Sequence, residues 1–155
     1  MSNYSNIIVG SEYTLEREAI IRLLVSEKDF EIIAQAGSIE EINRLVINQT
    51  KADILILDNN ISSTHILELM KLIKEKTPGL KVMLLIDNYS EERIIQAICA
   101  GCLAYISKNT SASELVKSIR ALIRSEVWIE RRMMSMVIYK LSDFYIQYLS
   151  RRDLH

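Results

Sequence analysis

Five short apolar runs alternate along the chain with segments of helical periodicity, and this order constrains the fold more than any other feature. The runs occupy residues 6–10, 31–36, 53–57, 81–86 and 104–107, and each precedes a segment whose apolar residues recur every three or four positions. Parallel strands need long crossover connections, which helices supply. The pattern therefore predicts a doubly wound α/β fold with five parallel strands and helices on both faces.

Local signals indicate where several helices begin and end. Ser38 followed by Glu41 is a capping box, and Ser90 and Ser111 are predicted N-caps of later helices. The sequence Thr-Pro-Gly at 77–79 ends the third helix, because proline cannot continue a helix and glycine is permissive at its end. These signals agree with the order of elements given by the apolar runs.

The segment of residues 130–149 has no place in the sheet but has its own helical pattern. Its apolar residues recur at four-three spacing, typical of a packing seam, and others lie beside them. We expect residues 1–126 to form the main domain and residues 127–150 a linker and possible dimerisation helix. Packing on its own domain and contact with a second copy are equally compatible with the pattern. The seam residues are Met134, Ile138, Leu141, Tyr145 and Tyr148, with Met133, Val137 and Phe144 beside them.

The composition is that of a packed globular protein. Hydrophobic residues make up 49% of the 155 residues and charged residues 25%. The apolar runs are far too short to cross a bilayer and no basic-then-apolar leader opens the chain, so we expect a cytoplasmic protein. The net charge of −1 conceals a basic C-terminal end, where residues 117–155 carry eight Lys and Arg against four Asp and Glu. Such an excess is typical of a solvated helix face and less often of a nucleic-acid surface.

Cys99 and Cys102 have the spacing of a redox pair or half a zinc site. A redox pair is expected to open a helix near the first strand, whereas these cysteines fall where a helix ends. Structural zinc needs two more ligands, and the chain has only two histidines. Free buried thiols are the preferred interpretation.

Polar residues follow three of the predicted strands at the point where each strand ends. Asp58 closes the third strand, Glu12 follows the first and Lys108 follows the fifth. Taken singly, Asp58 could be a helix cap, Glu12 a favourable charge at a helix start and Lys108 a surface lysine. Ligands bind at the carboxyl edge of parallel sheets, so the three together predict a site for phosphate or a metal.

With this order of elements, the three residues resemble the receiver domain of bacterial two-component response regulators. The resemblance implies a flavodoxin-like sheet with strand order 2-1-3-4-5, a regulatory protein rather than an enzyme, and a histidine kinase as partner. It covers about residues 6–124 and is carried by Ala-Asp-Ile-Leu-Ile-Leu-Asp at 52–58, Ala-Gly at 100–101 before Tyr105, and Ile-Ser-Lys at 106–108.

The resemblance also implies a role for each residue of the site. Asp58 is expected to be the phosphoacceptor, Lys108 to pair with the phosphoryl oxygens, and Glu12, Asp58 and Asn60 to hold Mg²⁺. Tyr105 is the aromatic residue of the family's switch. The chemistry is consistent, because a carboxylate attacks an anionic phosphoryl group only when cations neutralise the crowded charge.

Two departures from the family pattern lie in the site itself. Ser11 stands where a second acid is usual, so we expect weaker Mg²⁺ binding. Ile86 stands at the switch position at the end of the fourth strand, where the family has a Thr or Ser. The hydroxyl of that residue bonds the phosphoryl group, and isoleucine cannot form this hydrogen bond. A third departure is the loop after Asp58, where Ile61, Ser62 and Ser63 and then Ile66 replace the family's usual Met-Pro-Gly and later Gly. The three departures motivate a second hypothesis, an atypical receiver that works without phosphorylation as a dimerisation or partner-binding module.

The last residues extend the resemblance to one class of regulators. Leu-Ser-Arg-Arg-Asp-Leu at 149–154 is similar to the opening of the DNA-binding helix-turn-helix in NarL/LuxR-type transcription regulators. We therefore expect residues 151–155 to begin a module absent from this chain, through which a homodimeric regulator binds DNA. A third hypothesis, a phosphatase with Asp58 as nucleophile, requires an acid two residues later, where Asn60 stands.

Overall fold

The computed structural model describes residues 4–58, 60, 65–88 and 90–153, and its centre is a five-stranded parallel sheet. The strand order is β2-β1-β3-β4-β5, which confirms the predicted fold and order. The neighbouring strands are all paired in parallel. The strands are β1 (Ser5–Gly10), β2 (Phe30–Ala36), β3 (Ile54–Asp58), β4 (Lys81–Ile86) and β5 (Ala104–Ser107).

Helices cover both faces of the sheet, as the doubly wound pattern predicted. One face packs against the helices that begin at Thr14 and Ala112, and the other face packs against those that begin at Ile39, Ile66 and Glu91. None of the helices in the described ranges is both long and apolar enough to span a bilayer. The helices are α1 (Thr14–Val25), α2 (Ile39–Ile47), α3 (Ile66–Lys76), α4 (Glu91–Cys99), α5 (Ala112–Ile123) and α6 (Arg131–Asp153).

The central strand β3 shows why this sequence needs two helical layers. Successive side chains of a strand point to opposite faces. Ile54 and Ile56 accordingly pack in the core beside α1 and α5, and Leu55 and Leu57 in the core beside α2, α3 and α4. All of β3 is buried, which is usual for a central parallel strand. Asp58 is thus carried to the edge of the sheet by a rigid strand.

The predicted helix starts are correct in position, and two of the three are capped by a side chain. The Ser38 hydroxyl accepts a hydrogen bond from the Glu41 amide, and the Glu41 carboxylate accepts one from the Gly37 amide. Ser111 caps α5 in the same way. Ser90 lies at the N-cap of α4, but its side chain makes no capping hydrogen bond.

Cys99 ends α4, and Cys102 follows the turn after that helix. Gly101 adopts φ of +117°, a conformation that favours glycine. Both thiols are free, and burial raises the pKa of Cys102 to about 12. No group of three or more potential metal-binding side chains occurs in the described ranges. The two cysteines are therefore packing residues.

The connection from α5 to α6 crosses the outer edge of β5. The Trp128 amide donates to the Leu103 carbonyl over 2.9 Å, and the Trp128 carbonyl accepts from the Tyr105 amide over 3.2 Å. Trp128 thereby forms a parallel bridge with Ala104. This pairing covers part of an edge strand and fixes where α6 begins.

Only the first turns of α6 pack against the domain, and they do so with residues beside the predicted seam. Met133 and Val137 are each 2% exposed and lie in the core that contains α4. The side chains of residues 138–152 are all exposed, including the seam residue Ile138 at 60%. Periodicity identified the apolar side of α6, but α6 runs past the domain surface, so most of the seam has no cover from its own domain.

Candidate functional site

The site lies at the carboxyl edge of the sheet, between β1 and β3. The chain order reverses there, since β2 lies on one side of β1 and β3 on the other. Crevices in open parallel sheets form at such a point. Asp58 ends β3 and Ser11 follows β1. Lys108 follows β5, and its backbone amide donates a hydrogen bond to the Ile86 carbonyl at the end of β4 over 2.9 Å.

Asp58 is fully buried and is held as a carboxylate. Its Oδ1 accepts hydrogen bonds from the Lys108 ammonium at 2.9 Å and from the Asn60 amide at 3.0 Å. Its side chain is 0% exposed, and this burial raises its pKa. The two hydrogen bonds and the positive charge of Lys108 outweigh burial, so the pKa of Asp58 is lowered from its ordinary value. Asp58 is therefore ionised despite its burial.

Lys108 is shared among three carboxylates. Its Nζ lies 2.9 Å from Oδ1 of Asp58, 2.9 Å from Oε1 of Glu16 and 3.8 Å from Oδ1 of Asp87. Partial burial lowers the pKa of Lys108, but the hydrogen bonds to Asp58 and Glu16 raise it by more, so the ammonium stays charged. The ring of Tyr13 lies 5.9 Å from the same Nζ. One cation thus neutralises a crowded group of acids.

Ser11 connects the acids from the opposite side. Its Oγ lies 2.5 Å from Oε2 of Glu16 and 3.3 Å from Oδ2 of Asp58. A hydroxyl has one proton to donate, and the shorter distance directs it to Glu16. Arg17 donates to the Ser11 carbonyl over 2.6 Å and holds this residue in place.

The acid after β1 that reaches the site is Glu16, which was not among the predicted site residues. Glu12, the predicted metal ligand, is exposed and accepts a hydrogen bond from the Tyr13 hydroxyl, which raises the pKa of Tyr13. Glu16 lies in the first turn of α1, four residues after Glu12. The predicted helix start near Thr14 puts Glu16 in the first turn, but which acid faces the site depends on the backbone of the preceding loop.

Comparison with known proteins decides the family. The response regulator receiver domain matches residues 8–120, which is most of the chain. The chain belongs to the response regulator receiver family. The predicted resemblance is therefore confirmed.

Curated relatives of this receiver carry names of transcriptional regulators. YxjL of Bacillus subtilis, an uncharacterized transcriptional regulatory protein, is 28% identical over 120 residues, which are 77% of this chain and 55% of that protein. The DNA-binding transcriptional activator DevR/DosR of Mycobacterium tuberculosis is 22% identical over 135 residues, which are 87% of this chain and 62% of that protein. The receiver thus spans little more than half the length of these relatives.

Solved structures share the fold of this receiver. A two-component response regulator of the LuxR family from Aurantimonas sp. superposes with a TM-score of 0.74 and 19% identity, covering 90% of this chain and 99% of that one. The isolated receiver domain of RcsB from Salmonella enterica serovar Typhimurium, with phosphomimetic beryllofluoride, gives 0.71 and 16%, covering 86% and 98%.

Of the residues predicted to hold Mg²⁺, Asp58 and Asn60 meet at the end of β3, whereas Glu12 is exposed. The Lys108 ammonium lies within 2.9 Å of carboxylate oxygens of both Asp58 and Glu16, so the space between these acids already has its cation. Glu12 is engaged with Tyr13. Within the described part of the chain, no three potential metal-binding side chains are grouped.

Ile86 and Tyr105, the predicted switch residues, lie beside the linker to α6. Ile86 is buried and Tyr105 half-buried, and both line a cavity of about 480 Å³ that residues 127–130 also border. Tyr105 packs in the same core as Ile129 and Met133. The site edge and the base of α6 are therefore in contact through this core.

Proposed function

We propose that this receiver accepts a phosphoryl group on Asp58 from a histidine kinase. The observation that carries the proposal is the Asp58–Lys108 pair, an ionised buried carboxylate at the switch point of the sheet with a lysine ammonium 2.9 Å away. An ionised nucleophile beside a fixed cation is what transfer of an anionic group requires.

The transfer forms one bond and breaks one. An oxygen of Asp58 attacks the phosphorus, the bond between phosphorus and the imidazole nitrogen of the kinase breaks, and its electron pair returns to the imidazole. Oδ2 is the freer oxygen, since its contact to Ser11 is 3.3 Å while Oδ1 holds Lys108 and the Asn60 amide. Lys108 then pairs with the phosphoryl oxygens. Mg²⁺ would be held by Glu12, Asp58 and Asn60 and would neutralise part of the phosphoryl charge. Because Ser11 replaces a second acid, we expect its binding to be weak.

Binding of a phosphoryl mimic tests the proposal. Calorimetry with beryllofluoride and Mg²⁺ is expected to show binding to the wild type and none to Asp58→Ala. Asp53→Asn is the matched control, because Asp53 lies just before the other end of the same strand. Absence of binding to the wild type, or equal binding to Asp58→Ala, contradicts phosphoryl acceptance.

The relatives support a wider role in transcription. They are named as transcriptional regulators and are longer than the region that this receiver matches. The receiver then acts in the cytoplasm within such a regulator, which binds DNA through a C-terminal helix-turn-helix. Phosphatase activity is not part of the proposal, because Asn60 stands where a general acid would be needed.

The exposed part of α6 favours a second candidate function, homodimerisation independent of phosphorylation. Beyond Val137, the apolar residues Ile138, Leu141, Tyr145 and Tyr148 continue at four-three spacing and are all exposed. In a parallel pair of such helices each seam residue meets its own copy. The flanking position of Phe144 is also apolar, which widens the surface that a second copy covers.

Sedimentation at several concentrations tests this second function. The chain is expected to dimerise without a phosphoryl mimic, and the pair of changes Leu141→Glu and Tyr148→Glu to make it monomeric. Lys140→Glu is the control, since it changes charge on the same helix outside the seam. A monomer at every concentration, or a dimer that keeps its strength in the double variant, contradicts dimerisation through α6.

A further inference from the structure

Glu16 closes a ring of polar contacts around the proposed phosphoacceptor. Its Oε1 lies 2.9 Å from Nζ of Lys108 and its Oε2 lies 2.5 Å from Oγ of Ser11. Lys108 and Ser11 in turn contact Oδ1 and Oδ2 of Asp58. Glu16 therefore binds both side chains that lie against the oxygens of Asp58.

The burial of the ring members shows which one is able to leave. Asp58 and Ser11 are fully buried, whereas the Glu16 and Lys108 side chains are 24% and 18% exposed. A buried polar group that loses its partner is costly, and an exposed one regains water instead. Opening at Glu16 is the least costly way to uncover Asp58.

The negative charge of Glu16 competes with an incoming phosphoryl group for the Lys108 ammonium. A phosphoryl group brings a charge of about −1.5 to −2 and seeks the same ammonium that Glu16 occupies. We infer that Glu16 is an internal gate, which occupies Lys108 until an incoming phosphoryl group displaces it and so sets how fast Asp58 is phosphorylated. The inference rests on the proposed phosphoryl acceptance by Asp58 and adds a residue that determines its rate.

The initial rate of phosphorylation by acetyl phosphate tests the gate. Glu16→Gln keeps the shape of the side chain and its bond to Ser11 but removes the charge that competes for Lys108. Its rate is expected to exceed that of the wild type by on the order of tenfold, the equivalent of one charge-assisted hydrogen bond. Glu18→Gln is the matched control, because Glu18 is an exposed acid of the same helix. Its rate is expected to equal that of the wild type.

Two further measurements separate the gate from a loss of folding and from failure of the proposed function. Glu16→Gln is expected to bind beryllofluoride with a lower dissociation constant than the wild type. Its melting temperature is expected to match that of the wild type. Equal or slower phosphorylation of Glu16→Gln, with a phosphorylated wild type, overturns the gate and leaves the proposed function standing. If neither protein is phosphorylated, the proposed function fails and the gate with it.

Discussion

The Lys108 ammonium lies 2.9 Å from Oδ1 of Asp58, a carboxylate with no exposed surface. The pair is assembled before any phosphoryl group arrives. Asp58 is therefore ionised at rest, and the cation that stabilises its product is already beside it. The same cation also binds Glu16 at 2.9 Å, so phosphorylation exchanges one anionic partner of Lys108 for another.

Removing Lys108 is expected to leave a buried charge without its partner. Breaking a buried ion pair typically costs about 3–5 kcal/mol of unfolding free energy. Because Lys108 keeps some exposure, Lys108→Met should lower the free energy of unfolding by an amount near the lower end of that range. Urea denaturation measures the loss. Adding Asp58→Asn removes the unpaired charge, so the double variant should recover most of the stability. A double variant no more stable than Lys108→Met contradicts the pairing.

Restoring an acid at position 11 is expected to make the receiver depend on Mg²⁺. Ser11→Asp places a second carboxylate beside Asp58 and Glu16, and two like charges about 5 Å apart repel by roughly 3 kcal/mol at an effective dielectric of 20. The variant should melt at a lower temperature than the wild type without metal and gain more from added Mg²⁺. Thermal unfolding with a Mg²⁺ titration measures both effects. Ser11→Asn, which adds no charge, is the control and should show no such gain.

The two sides of α6 are expected to differ sharply in stability. Met133 is 2% exposed, so Met133→Ala should cost about 2–5 kcal/mol of unfolding free energy through lost contacts and a cavity. Ile138 is 60% exposed, so Ile138→Ala should change it by less than about 0.5 kcal/mol in the monomer. Chemical denaturation at low protein concentration compares the two. Equal effects would mean that the helix packs through a different face.

Acid should weaken the ion pair between Arg120 of α5 and Asp29, which lies just before β2. The hydrogen bond from Arg120, with its charge, holds the pKa of Asp29 below its ordinary value. Stability from such a lowered pKa is present above the unfolded value near 3.9 and is lost as the pH falls through the folded pKa. Asp29→Asn should therefore be less stable than the wild type near neutral pH, by about 1 kcal/mol or less since the pair is partly exposed.

The control for this pH dependence is Asp143→Asn, an exposed change on α6. Denaturation curves across the acid range should show the difference between the wild type and Asp29→Asn shrinking as the pH falls. A difference that is constant with pH contradicts a role for the Asp29 charge.

Much of the fold could be predicted because local and global signals agree. The apolar alternation predicted every strand to within a residue, and Ser38 and Ser111 cap their helices as expected. The packing face of α6 depended on tertiary structure. The apolar pattern of α6 could not show that Met133 and Val137 rather than the seam face α4, because that depends on where the linker across β5 sets the start of the helix.

The sequence predicted the contact between Asp58 and Lys108 but not which acid after β1 joins them. Asp58 and Lys108 end or follow strands, whose positions the sheet dictates, and the structure brings them into contact. Glu12 and Glu16 lie in and after a loop, where the backbone decides which acid turns inward. Strand spacing has no bearing on that choice, so the contact of Glu16 with Lys108 appeared only with the structure.

Mass spectrometry after incubation with acetyl phosphate shows whether Asp58 is the phosphoacceptor. The wild type is expected to gain the mass of one phosphoryl group on the peptide that contains Asp58, and Asp58→Asn is expected to gain none. An unmodified wild type, or equal modification of Asp58→Asn, would contradict the assignment of Asp58 as the phosphoacceptor.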